Sequence, residues 1–330
     1  MIVVWFAEAA TKLMLNSPLK NIGQQQLPQI VQSLSRFVKR NVDPSDFILL
    51  TSNDLRKKHM FDLNASIQIL QNIRQAQANV ALPPAFSLEY LEHIRKFLPE
   101  VKERFQKRRT IYVEKALLAL AVHGAYLTHY YKEFKDNTVR YYYVLADTLQ
   151  LGEINLRELN KEVKDISQTL RKADASPVTL YVGIASLYVN KISSFREGSA
   201  TLTHVIISGT RRKKKTVDRP VLLSFDQRDL TYLARDIESL GWNKAIVNLV
   251  KEYPILNPED PEDVKRCKRA VKSFIESLTR AIYVWHSTGD EQEIYRVLRT
   301  LTSEDFDAKA RKCFGNKWNT IKVQLINIKI

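Results

Sequence analysis

Only nine of the 330 residues are glycine, less than half the usual share of roughly 7%. Sandwiches and barrels use glycine in their many turns, so the shortage argues for helices. Cysteine is rarer still, with Cys267 and Cys313 alone. Far apart in sequence, they suggest neither a disulfide framework nor a zinc site. They fit a reducing compartment, so a cytoplasmic location is expected. No apolar run approaches the ~18 residues of a membrane span. Met1 to Phe6 is apolar, but no basic residue precedes it and Glu8 follows, so no signal peptide is expected. No basic amphipathic helix with aromatics on one face stands out, and a membrane partner is not expected.

Acids are short as well. Asp and Glu number 36 against 51 Lys and Arg, leaving a formal charge of +15. Thermophilic surfaces are Lys-rich but are usually balanced by Glu. A surplus this large points to a polyanion, with nucleic acid ahead of an anionic membrane. Catalytic signatures are also missing. There is no P-loop, dinucleotide-binding glycine pattern, Gly-x-Ser-x-Gly elbow or His-Glu-x-x-His. The six histidines are scattered, and His123 and His129, six apart, fall on different faces of a helix. The acid–lysine tripeptides Glu162-Val163-Lys164 and Asp263-Val264-Lys265 read as helix rather than as a nuclease sheet edge. No catalytic residue, metal ligand or cofactor is expected.

What is present is an ordinary globular complement of apolar residues, 45%, enough for sizeable cores. The length suggests two or three packed lobes. The expected fold is mainly α (α+β): a multi-lobed helical protein with a small antiparallel β element and a C-terminal helical bundle. Texture divides the chain into an N-terminal mixed lobe (1–99), a central helical region (100–175), an α/β region with a basic β-hairpin (176–253) and the bundle (254–330).

In the first segment Phe47 to Leu50 reads as a strand ending in a Thr51–Asp54 turn. Pro28 suits a first helical turn ahead of the stripe Ile30, Val31, Leu34, Phe37 and Val38. Ser87, after Pro83-Pro84, reads as the cap of another helix carrying Leu88, Leu91, Ile94 and Leu98. Residues 101 to 175 read as all-helical, with a buried helix over Ile111 to Tyr131 and an amphipathic one at Leu156, Leu159, Val163, Ile166 and Leu170. Leu202–Ser208 and Val221–Phe225 read as two strands around a long basic tip, Gly209 to Thr216. Asp260 reads as the cap of a helix whose apolar positions are Val264, Cys267, Val271, Phe274, Leu278, Ala281 and Trp285 and which stops at Ser287-Thr288-Gly289-Asp290. A helix with Ile294, Val297, Leu298 and Leu301 inside follows, and Ser303 starts a third.

The hairpin tip carries the densest charge. Residues 205 to 220 hold Arg211, Arg212, Lys213, Lys214, Lys215 and Arg219 against Asp218. Such a run repels itself and is held for an anion; the alternatives are a solvated loop or a localisation signal. Other clusters are Lys102, Arg104, Lys107, Arg108 and Arg109; Lys265, Arg266, Lys268, Arg269 and Lys272; and Arg56-Lys57-Lys58-His59. Each alone is commonly a solvated helix face, but several suggest an extended nucleic-acid track. Tyr126, Tyr130, Tyr131, Phe134, Tyr141, Tyr142 and Tyr143 are read first as core at a helix–helix corner and second as a base-stacking platform.

Thr179-Leu180-Tyr181-Val182-Gly183-Ile184-Ala185, Gly209-Thr210-Arg211-Arg212, Phe274-Ile275-Glu276-Ser277-Leu278 to Thr288-Gly289-Asp290-Glu291, and Ile294-Tyr295-Arg296-Val297-Leu298-Arg299 resemble the large subunit of archaeal type I-A CRISPR effector (Cascade) complexes. The resemblance covers roughly the C-terminal half. It implies a role in antiviral defence, with guide RNA and target DNA, backbone and small subunits and a separate helicase-nuclease as partners. It implies contact with flanking-motif duplex and opened strands, while guide pairing selects sequence. Two rival readings are a viral-type nucleocapsid coating single-stranded RNA and a nucleic-acid enzyme with a non-contiguous site.

Overall fold

The computed structural model describes residues 2–22, 24–38, 50–54, 57–61, 63–81, 112–135, 138–148, 155–191, 199–212 and 216–327. The chain is mainly helical with small antiparallel β elements. It forms two compact units, each assembled from separated stretches: Met1–Leu145 with His204–Asp226, and Ala146–Thr203 with Gln227–Ile330. These junctions differ from the compositional boundaries near 99, 175 and 253. No helix among the described residues is long and apolar enough to cross a membrane.

The first unit begins with α1 (Ile2–Leu15) and α2 (Leu27–Val38). Pro28 sits in the first turn of α2, where a missing N–H costs nothing, and Ile30 is buried. Then come the antiparallel pair β1 (Leu50–Asp54) and β2 (Lys57–Phe61), α3 (Leu63–Gln71) and α4 (Ile73–Gln77). Thr51–Asp54 is therefore strand, not turn. Phe47 to Leu49 and the Ser87 helix lie outside the described residues. A second antiparallel pair, β3 (Asn79–Ala81) with β4 (Tyr112–Glu114), leads into α5 (Lys115–Thr128).

Helix α5 is the buried helix expected between Ile111 and Tyr131, but shorter. From His129 the chain turns into β5 (His129–Lys135) and β6 (Thr138–Thr148), so residues 101–175 are not all-helical. The Ala/Leu composition of α5 favours helix, whereas the tyrosines and Val139 after it fit a half-buried pleated surface better. These strands join β7 (Ala200–Arg212) and β8 (Thr216–Asp229) in the order β5-β6-β7-β8. The core gathers Ile2, Val3 and Phe6 of α1, Leu118, Val122 and Ala125 of α5, Val139, Tyr141 and Tyr143 of β6, and Val205 and Ile207 of β7.

The second unit is helical around α7 (Pro177–Lys191), of which Thr179 and Tyr181–Val189 are buried. Against it pack α6 (Leu156–Lys172), α8 (Thr231–Leu240), α9 (Asn243–Lys251) and α10 (Glu262–Thr288). The five apolar positions expected in α6 are all buried, and Asn155 caps it by accepting from Glu158 N–H at 3.4 Å. A buried Thr179–Thr279 hydroxyl contact at 3.0 Å links α7 to α10.

Helices α11 (Gln292–Thr300), α12 (Glu304–Phe314) and α13 (Lys317–Ile326) complete the bundle. Ile294 and Val297 are buried on α11, and Ser303 caps α12 through Phe306 N–H. Gly289, at φ +74°, ends α10 as expected. Asp260 does not cap it. Pro261 occupies that position, and the Asp260 carboxylate instead accepts from Lys268 Nζ at 2.7 Å and Asn257 N–H at 3.0 Å. Two charge-assisted contacts hold it better than one helix-end N–H would.

Candidate nucleic-acid interface

The basic hairpin has long strands and a short connection. Gly209 to Arg212, expected in a long loop, continue β7, and β8 begins at Thr216. Only Lys213, Lys214 and Lys215 separate the strands, and they lie outside the described residues. A three-residue connection falls within the usual hairpin range, which corrects the expectation of an oversized loop. β-Branched residues on both sides, from Val205 to Thr210 and from Thr216 to Val221, explain the extension. Lys102 to Arg109 and Arg56 lie outside the described residues. Lys57, Lys58 and His59 are in β2, in register with Asp54, Asn53 and Ser52.

The Lys265–Lys272 cluster is fully described, and most of it is engaged with its own fold. Lys265 Nζ donates to the Pro258 carbonyl at 2.7 Å, and Lys268 donates to both Ile255 O (3.0 Å) and Asp260 (2.7 Å). Arg269 pairs with Glu262 at 3.1 Å, and Lys272 donates to the Ala173 carbonyl at 2.8 Å. Lys268 and the Asn257 N–H hold the Asp260 carboxyl below its usual pKa. Three of these lysines thus hold backbone carbonyls of the 254–260 connection and of the C-terminal end of α6, where a cation also meets the helix dipole. Arg266 is exposed and has no partner among the described residues.

Elsewhere in the bundle, basic side chains are also committed. Asp307 receives Lys322 Nζ at 2.7 Å, Arg311 Nε at 2.7 Å and Trp318 Nε1 at 2.8 Å. These donors hold its carboxyl well below the ordinary range. Lys312 pairs with Asp263, and Lys317 with Glu252 at 2.5 Å. A shallow groove in this unit is lined by Glu162, Asp165, Ile166, Thr169 and Lys251. Burial raises the Glu162 pKa, but hydrogen bonds from Lys191 and Lys251 outweigh it and lower it overall. Two carboxylates against Lys251 leave that lining without the positive surplus a phosphate needs. Lys164, half-buried, has its pKa lowered to about 8 by desolvation.

The aromatic cluster packs on a sheet, not at a helix–helix corner. Tyr141 and Tyr143 point into the first core, and burial raises the Tyr143 phenol well above its usual pKa. Tyr130, Tyr142 and His204 gather together: Tyr130 Oη is 2.5 Å from His204 Nε2, and Tyr142 donates to Glu133 at 2.6 Å. Tyr130 and Tyr142 are buried, so these faces are already covered. Phe134 is 56% exposed, with Lys132 Nζ 5.1 Å from its ring centre.

Contiguous charge runs conceal one residue. Arg280, outside every cluster, is exposed on α10 and has no partner among the described residues. Its seven-residue spacing, twice over, from Arg266 is the signal that marks it. No protein-family model matches the chain, and no curated protein matches it.

Proposed function

We propose that the chain is a non-catalytic, nucleic-acid-binding large subunit of a CRISPR RNA-guided DNA surveillance complex, which contacts flanking-motif duplex and opened strands. One observation carries the reading: six basic residues and one acid fall within 205–220, at the closed end of the β7–β8 hairpin. A run this dense in cations gains by releasing the counterions of a phosphate backbone. The motif resemblance in the C-terminal half adds the assembly: guide RNA, backbone and small subunits and a helicase-nuclease. On this reading the protein acts in the cytoplasm and needs no cofactor.

The test is binding of the full chain to labelled duplex and single strands across a salt series. Affinity should fall by roughly 10³ or more from low to moderate salt if six or more phosphates are neutralised. Replacing Arg211 to Lys215 with Ser should weaken binding about tenfold or more, about 1.4 kcal/mol, and leave the melting temperature unchanged. A flat salt response removes the nucleic-acid reading. Reconstitution with guide RNA and the backbone and small subunits should raise affinity for matched duplex; no gain removes the assembly and leaves a free-standing binder.

A further inference from the structure

We propose that the outward face of α10 binds the sugar–phosphate backbone of one nucleic-acid strand laid along the helix axis, through Arg266, Ser273, Ser277 and Arg280. The proposal rests on the nucleic-acid reading and adds a site, a ligand geometry and a mode of contact to it. At 3.6 residues per turn these four positions return to one narrow stripe, about 21 Å long from Arg266 to Arg280. All four are exposed, and none has a side-chain partner among the described residues. This isolation sets them apart from Lys265, Lys268 and Lys272, which are tied to carbonyls.

The stripe holds no carboxylate beyond Arg266. Glu262, at its start, is paired with Arg269, and Glu276 is turned aside to accept from Tyr253 Oη at 2.7 Å. Guanidinium and hydroxyl groups are common donors to phosphate oxygens. The stripe carries no aromatic ring to stack on a base and no side-chain amide to read one, so the contact is independent of sequence. The opposite side of α10 is seated through Val271, Phe274, Ile275 and Leu278, which holds the stripe along one continuous helix. A B-form strand completes a turn in about 34 Å, so over this length it sweeps more than half a turn away from the helix face. An extended single strand can follow it throughout.

The experiment is fluorescence anisotropy of the full chain with a labelled mixed-sequence single strand and with the same sequence as duplex. The double variant R266A/R280A should keep its helix content and melting temperature, lose about tenfold or more in single-strand affinity and lose about 1.4 from the salt slope. R266K/R280K should retain most of the binding, because a point charge still serves phosphate. Duplex affinity should change less than single-strand affinity. If the parent binds single strands and the alanine variant binds them equally well, this site is overturned while the nucleic-acid reading stands. Equal losses on both ligands overturn the single-strand assignment. A parent that binds neither ligand overturns the underlying reading as well.

Discussion

Each unit has a central apolar helix with a glycine at its closest crossing, and the two glycines face different neighbours. A Cβ on Gly124 of α5 would lie 1.7 Å from the Phe6 carbonyl oxygen of α1. A Cβ on Gly183 of α7 would lie 3.1 Å from a Val250 methyl of α9. A backbone carbonyl inside a helix cannot move without breaking its own ladder, whereas a valine side chain can give by a few tenths of an ångström. The first unit is therefore locked by main chain against main chain. The second is set by side chains and by polar contacts such as Thr179–Thr279 and Asp307–Trp318.

The sharpest way to break this comparison is Gly124→Ala. Alanine gains about 1 kcal/mol in helix propensity, but the clash should cost at least about 5 kcal/mol, enough to unfold the first unit. Limited proteolysis should then cut within 1–145 and spare 227–327; a fully protected protein would show that α1 shifts freely. Gly183→Ala should cost only about 1–3 kcal/mol, as overpacking against a movable side chain.

Trp318→Ala probes the second unit. Trp318 is fully buried among Phe274, Phe306 and Phe314, at 5.7–6.4 Å between ring centres. Its loss should cost about 3–5 kcal/mol in a denaturant titration.

His123 sharpens the first unit's side. It is buried with Nε2 unpartnered, and desolvation lowers its pKa from 6.5 to about 3. The unfolded chain binds this proton below about pH 6.5, while the folded chain does so only near pH 3. Stability is thus intact above pH 6.5 and falls as pH drops between the two values, by about 1.4 kcal/mol per pH unit from this group. Melting temperatures of His123→Leu across pH 7 to 4 should show a shallower slope than the parent; an unchanged slope would place the acid sensitivity elsewhere.

The smallest effects separate committed from free cations on α10. Lys272→Met should cost about 1 kcal/mol through the lost Ala173 carbonyl contact. Arg266→Ala should stay within about 0.5 kcal/mol. Equal values in calorimetry would mean that the carbonyl contact contributes nothing.

Local chemistry alone set much of the second unit. The periodic leucines, valine and isoleucine of α6, the Ser303 cap and the Gly289 stop each act within a few residues, so they are legible without a fold. The same reading failed at His129, because Tyr130 and Tyr141–Tyr143 acquire their β character from cross-strand neighbours. It also assigned Asp260 to a cap, because the competing donor Lys268 reaches it only once the helix has formed.

For the candidate interface, the sequence determined the amount of charge and its concentration near Arg211–Lys215, since both follow from composition. Which of the Lys265–Lys272 cations remain available was decided by tertiary structure. A lysine's partners at Pro258, Ile255 and Ala173 are carbonyls that every residue carries, so nothing in the side-chain pattern marks them. Only the folded path of the 254–260 connection and the end of α6 brings them within reach, and that leaves Arg266 and Arg280 facing outward.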